Sequence, residues 1–247
     1  MYPKRIFLIV VLFLVAGCRP QETAVQGTPA LWQVQTSTGL SWLGESFNTC
    51  ALKQDNVGLI VTELPGPTLD IAMADFSFRL GDPEQTPSFA VIVASEELIL
   101  IVHPSNLVRS IKLSDLQEIY TRGIRNWNDL MPEKADEERP IQVWSYPPGD
   151  DLSTIFEAAI LGEGKMDAYT RLAPHPEAML RVVAEDPGAI GYLPARWLDD
   201  SVRQVQMEGV EMGSLRKPIV ALAAIEPEGN RREWLHCVEG LIANPQQ

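Results

Sequence analysis

The sequence predicts an α/β protein folded as two lobes with a cleft between them. Three observations lead there. Strand-like apolar runs are interleaved with segments of helical periodicity along the chain. The pattern runs through one set of elements, repeats in the middle third and returns to a strand and a helix at the end, as expected of two sheet-centred bodies joined by two crossings. The 247 residues, 45% hydrophobic and 21% charged, make an ordinary globular chain with enough length for a real core, which excludes disorder, collagen-like repeats and a disulfide-dense mini-protein.

The elements follow in order. Lys4 and Arg5 precede an unbroken apolar run, Ile6 to Val15, and the small residues Ala16 and Gly17 before Cys18. This is a secretory signal peptide over 1–17, too short for a comfortable membrane span. Residues 18–30 are polar with scattered Pro and Gly and form a flexible tether. The folded part begins near Leu31. Trp32 to Thr36 alternates as a strand, and Leu40, Leu43, Phe47 and Cys50 recur at helical spacing. Val57 to Leu64 and Leu69 to Ala74 are strand-like runs. Ser88 to Ala94 and Glu97 to Val102 form a tight pair of strands. Ser114 to Gln117 is a capping box opening a short helix with Leu116, Ile119 and Tyr120 inward. Ile141 to Ser145 is a strand. Leu152, Ile155, Phe156, Ala159 and Ile160 mark an amphipathic helix. Ala189 to Leu193 and Pro218 to Ile225 are strands. Asn230 with Glu233 caps a last helix carrying Trp234, Leu235, Val238, Leu241 and Ile242. Residues 132–140 are a charged surface loop.

A formal net charge of -13 argues against nucleic acid as a partner, because counterion release needs clustered Lys and Arg. The charge also sits uneasily with an anionic ligand. Removing the leader makes the exported chain more acidic still, since Lys4 and Arg5 leave with it. His103, His175 and His236 are far apart and share no metal-ligand spacing, so neither a metal nor a cofactor is expected. Cys50 and Cys237 are either a disulfide, which an oxidising exterior permits, or two buried thiols. Ser41, in Gly39-Leu40-Ser41-Trp42-Leu43, lacks the second glycine of a nucleophile elbow and has no convincing His and Asp beside it, so the chain is not expected to be an enzyme.

Several segments carry a resemblance. Leu14 to Cys18 (LVAGC) resembles the bacterial lipobox, which implies that Cys18 is lipidated and becomes the mature N-terminus, anchoring the chain on a membrane surface. Leu69 to Phe76 (LDIAMADF), the stretch from Val91 to Leu130 containing HPSN and YTRGIRNWNDL, the strand–loop–helix layout of 141–162, and Asp186 to Leu193 (DPGAIGYL) together resemble the phosphate-binding-protein family of ABC importers, which has the type II periplasmic-binding-protein fold. The resemblance implies one lobe of residues 31–102 and 200–247 and another of 103–199. It implies an extracytoplasmic solute-binding lipoprotein, monomeric, that closes by a hinge over phosphate or a related oxyanion and docks on the importer's membrane subunits.

Family sites gather backbone N–H groups at helix starts, hydroxyls and one Arg around the oxyanion, with an Asp that accepts a proton from it. Carried onto this chain, Thr36, Ser37 and Thr38 form the first anion-binding loop, and Asp75 takes the place of the proton-accepting Asp. Tyr146 falls where the family has its Arg. Gly149-Asp150-Asp151-Leu152 falls on the family's Gly-Ser-Gly-Thr, and Ser153 offers a nearby hydroxyl. Phe76 is placed to wall the cleft or pack the core. Asp150 and Asp151 are expected as caps of the following helix. A carboxylate facing the cleft would oppose an anion by about 3 kcal/mol at ~5 Å and an effective dielectric near 20. Arg122 and Arg125 are read as surface residues that could compensate. Gly123, Trp127, Gly188, Gly191 and Tyr192 match family positions but read as structural. The departure at 146–152 keeps a second reading open: a binding or sensing module of the same fold, with a degenerated anion site and another ligand or a protein partner.

Overall fold

The computed structural model describes residues 28–83, 87–131 and 139–243. The expected leader, Cys18, all but the end of the tether and most of the charged 132–140 loop lie outside the described residues.

The first elements are β1 (Ala30–Ser37), α1 (Leu43–Ala51), β2 (Val57–Leu64), β3 (Phe76–Leu80) and the long β4 (Phe89–Val102). The middle carries β5 (Ser110–Lys112), α2 (Leu113–Tyr120), β6 (Gln142–Ser145), α3 (Asp151–Phe156), β7 (Arg171–Leu172), α4 (Pro176–Glu185) and β8 (Ala189–Pro194). The chain ends with β9 (Arg203–Glu208), β10 (Arg216–Ala223) and α5 (Asn230–Ala243). The strands join in the order β2-β1-β3-β10-β4-β8-β6-β7, with β9 attached to β4 and β5. Strand β1 runs parallel to β2 and β3, while β10 lies antiparallel between β3 and β4.

Strand β4 belongs to both lobes. Phe89–Glu97 pairs with β10, and Leu98–Val102 pairs with β8. The polar Ser95-Glu96-Glu97 step suggests a break between two strands, yet the backbone continues through it. Glu96 is buried there, tied to Arg196, whose guanidinium lies 3.3 Å from the Trp42 ring centre. Leu98–Val102 is continuously apolar because both its faces are covered. The pairing partner of β4 therefore changes at Glu97/Leu98. Strand β9 pairs with β4 and β5.

Two other local expectations change. Residues 69–74 form turns, not a strand: Thr68 N–H and hydroxyl both return to Pro65 O, and Asp70 Oδ1 accepts the Ala72 N–H at 2.9 Å. The strand starts at Phe76 instead. The expected capping box at Ser114 is absent: Lys112 takes the N-cap position without a side-chain bond, and the Ser114 hydroxyl turns to Asp115. Helix α4 went unread in the sequence, although it carries Pro176 in its first turn and His175 Nδ1 accepts the Ala178 N–H.

Each lobe has an aromatic core. Trp32, Phe47, Phe76, Phe78 and Trp234 pack together in the first, where Trp234 Nε1 donates to Phe47 O at 3.1 Å. In the second, Phe156 and Tyr192 stack at 3.8 Å, with Tyr120 and Tyr146 against them. A disulfide between Cys50 and Cys237 joins α1 to α5. It closes most of the described chain into one loop, so its chief effect is to restrict the unfolded state. Replacing both cysteines by serine is expected to lower the unfolding free energy by about 2–5 kcal/mol in denaturant titration. An unchanged midpoint would show that the bridge adds nothing.

Candidate functional site

Parallel strands leave backbone groups unpaired where they end, and in open α/β sheets the C-terminal edge is where ligands are met. Strands β1, β2 and β3 end together. Ser37 faces Leu64 in register, and β1 pairs with β3 only as far as Phe78, so the Leu80 N–H lies beyond the ladder. The turn Gly66–Thr68 follows β2 at this edge. Ser37 and Ser77 are fully buried, and Arg79 is 12% exposed. Ser37 Oγ, Ser77 Oγ and Arg79 Nε are buried without a hydrogen-bond partner. Unpaired buried polar atoms are rare enough to need a reason. A cavity of about 370 Å³ lies alongside, bordered by Gly66, Thr68, Asp70 and Arg79.

The start of α3 faces this edge from the other lobe. Gly149 holds the preceding turn at φ +84°, a conformation that favours glycine. Asp150 caps the helix by accepting the Leu152 N–H at 2.9 Å. The Ser153 hydroxyl donates to Pro147 O and Asp150 O, at 2.8 and 2.9 Å. Asp151 then reaches across the cleft. One carboxylate oxygen takes Arg79 Nη2 at 3.1 Å, and the other takes the Leu80 N–H at 3.2 Å. Ser37 lies close enough to favour the charged carboxylate, although its hydroxyl makes no well-formed bond. A Cβ on Gly66 would come within 1.7 Å of Asp151 Oδ1, and one on Gly39 within 2.8 Å of a Leu152 methyl. A side chain at either glycine would force Asp151 or Leu152 to shift.

Asp151 is 3% exposed. Desolvation raises its carboxyl pKa above the ordinary 3.8, and nearby Asp150 adds to the rise; Arg79, the Leu80 N–H and Ser37 pull it back without cancelling the shift. Asp150 is raised by desolvation as well, against the Leu152 N–H and Thr38. The edge thus offers an anion a guanidinium, a backbone N–H and a hydroxyl in a water-poor setting, and a carboxylate of the chain itself occupies the guanidinium and the N–H.

The expected site residues divide. Ser37, Thr38 and Asp150 come together around the edge. Thr36 is buried beside them, its hydroxyl turned to Ser37 O at 3.5 Å. Gly149 and Ser153 shape the α3 turn, and the Ser153 proton is committed to carbonyls. Tyr146 is core: its hydroxyl donates to Tyr192 O at 3.1 Å, and burial raises its pKa well above the ordinary value. Asp75 stands at the start of β3, not its end. It exchanges hydrogen bonds with the Gln33 backbone and pairs with Arg231, four residues or about 13 Å back along the sheet from Ser37 at ~3.3 Å per residue. Arg122 pairs with Asp167 and covers the Tyr169 ring. Arg125 Nε donates to Arg122 O. Both arginines line a separate cavity without any of the cleft residues above.

Arg79 and the Leu80 N–H were not foreseen. The available signal was an arginine inside an otherwise buried strand, Phe-Ser-Phe-Arg-Leu, which demands an anionic partner. Among the described residues no group of three or more His, Cys, Asp or Glu could hold a metal ion, and no helix is long and apolar enough to cross a membrane.

A family profile described as a PBP superfamily domain matches residues 68–239. The phosphate-binding protein PstS of Bacillus subtilis (strain 168) is 28% identical over 120 residues, which are 48% of this chain and 38% of that protein; the match spans well under half of the relative's length. A phosphate ABC transporter substrate-binding protein from Clostridium perfringens, solved with bound phosphate, superposes with a TM-score of 0.68 at 20% identity, covering 88% of this chain and 95% of that one. An ABC-type phosphate transport receptor from Vibrio cholerae superposes at 0.66 with 15% identity, covering 87% and 96%. These superpositions establish the two-lobed periplasmic-binding-protein fold.

The raised carboxyl gives a pH signature. The folded protein holds the Asp151 proton more tightly than the unfolded chain does. Stability on this account is present at low pH and is lost as pH rises through the folded pKa, over a window that starts near 3.8 and extends upward. The stability of Asp151→Asn relative to wild type should therefore increase with pH across that window and then level off. Denaturant melts at several pH values measure it, and a difference independent of pH would mean that Asp151 titrates alike in both states.

Proposed function

The chain belongs to the PBP superfamily, and from that premise we propose that it is the extracytoplasmic solute-binding protein of an ABC importer, with phosphate or a related oxyanion as ligand. The observation that carries this reading is the meeting of Arg79 and the Leu80 N–H on a carboxylate, with Ser37 close beside it, at the C-terminal edge of β1–β3. A carboxylate and a protonated phosphate ask for similar donors: planar or forked N–H groups, short-range dipoles and hydroxyls. The names of the Bacillus, Clostridium and Vibrio relatives support the same ligand class. Global acidity is no obstacle, because distant charges are screened beyond about 8–10 Å.

Binding and closure are the whole mechanism, with no chemical step. The oxyanion enters the open cleft, takes donors from the first lobe and completes its shell as α3 swings in. The closed form presents both lobes to the membrane subunits. Residues 18–30 tether the domain, with Cys18 as the lipidated residue. On this reading Cys18→Ala moves the protein from the membrane fraction to the soluble fraction; persistence in the membrane fraction would remove the lipid anchor from the account.

A second reading keeps the fold and replaces the ligand: a sensing or docking module whose anion site has degenerated. It takes the Asp151 carboxylate as a permanent occupant of the donors rather than a stand-in for an oxyanion. Calorimetric titration with inorganic phosphate separates the two. The transport reading expects binding at millimolar phosphate or below, weakened more than tenfold, about 1.4 kcal/mol, by Arg79→Gln and also reduced by Ser37→Ala. A folded protein giving no heat with phosphate supports the second reading. Unchanged affinity in both variants would place the ligand elsewhere.

A further inference from the structure

Two features of the cleft remain unexplained by oxyanion binding alone. Asp151 lies on α3, in the lobe opposite the donors, yet both of its oxygens are engaged by the first lobe. The first lobe is shaped to receive it: Gly66 leaves the space that the carboxylate fills, and Gly39 leaves the space for the neighbouring Leu152. A surface acid folding onto a nearby arginine would need no such fit. These contacts also cross the gap that must open for a solute to enter.

We infer that Asp151 is a built-in ligand: a tethered carboxylate that occupies the oxyanion donors of the first lobe, holds the cleft shut in the absence of solute, and must be displaced when an oxyanion binds. The inference rests on the proposed oxyanion reading for what displaces Asp151, but not for the latch itself.

The groups around the carboxylate set how firmly it holds. Arg79 and the Leu80 N–H attract it, and Asp150, capping the same helix, repels it. Its burial works against the charged form, so the latch is a yielding one, since opening returns the carboxylate to water. Being tethered, Asp151 competes intramolecularly, at an effective concentration set by the chain that joins the lobes. Apparent affinity for an oxyanion scales with the fraction of molecules in which the donors are free. An incoming oxyanion supplies more acceptor oxygens to the same donors, and Ser37 Oγ and Arg79 Nε beside them are unpaired. Exchange of one anion for the other thus improves the pairing. It also limits uptake of weak ligands that engage Arg79 alone.

The test compares the full wild-type chain with Asp151→Ala and with the near-isosteric Asp151→Asn, by amide hydrogen exchange at Leu80 and titration with inorganic phosphate. The Leu80 amide should exchange at least tenfold faster in Asp151→Ala than in wild type, and phosphate should restore its protection. Phosphate should bind Asp151→Ala at least tenfold more tightly than wild type, with Asp151→Asn between the two. Equal Leu80 protection in wild type and Asp151→Ala overturns the latch, as does phosphate binding that is no tighter in either variant than in a wild type that binds it. Faster Leu80 exchange with no phosphate binding to any of the three proteins supports the latch and refutes the phosphate reading instead.

Discussion

A carboxylate taken out of water loses several kcal/mol of hydration and persists only where donors surround it. Asp151 is such a group, and its burial organises the closed cleft. It needs Arg79 from the end of β3, the Leu80 N–H just past the β1 ladder, and a turn after β2 with no side chain at Gly66. Each condition is met by the ending of three parallel strands at one edge. The start of α3 is fixed in turn by the Asp150 cap and by the left-handed Gly149, so the acid projects toward that edge rather than into solvent. The net rise in its pKa shows which effect wins: desolvation outweighs the attraction of Arg79.

The frame that brings these parts together is β4. Strand β4 pairs with β10 through Phe89–Glu97 and with β8 through Leu98–Val102, so one strand serves both lobes. Glu96, Arg196 and Trp42 form a compact polar and aromatic contact beside the point where β4 changes sheets. The Cys50–Cys237 bridge pins α1 to α5. The aromatic rings of the two lobes form two groups, and buried side chains join both lobes into one contiguous core.

Much of the fold was legible in the sequence. Strand β2 and helix α5 are marked by composition and period, and the ordered segments from Val91 to Leu193 carry a family resemblance that the fold upholds. What failed has local causes. Residues 69–74 look like a strand, but Pro65 and Asp70 organise turns there. The polar Ser95-Glu96-Glu97 step looks like a break because a buried Glu96 is intelligible only with Arg196, a hundred residues away. The site was less legible. Ser37, Thr38 and Asp150 stand beside one another at the helix starts where the sequence puts them. Asp75 was expected at the end of a strand, whereas pairing with Gln33 puts it at the beginning. Arg79 and Asp151 were missed as a pair because neither has meaning without the other, and only the closed cleft brings β3 to α3.

The most direct test of the account is a crystal structure of the full chain grown with inorganic phosphate. It should show phosphate on Arg79, the Leu80 N–H and Ser37, with the Asp151 carboxylate withdrawn from those donors. Phosphate bound at another place, with Asp151 still on Arg79 and Leu80, would contradict it.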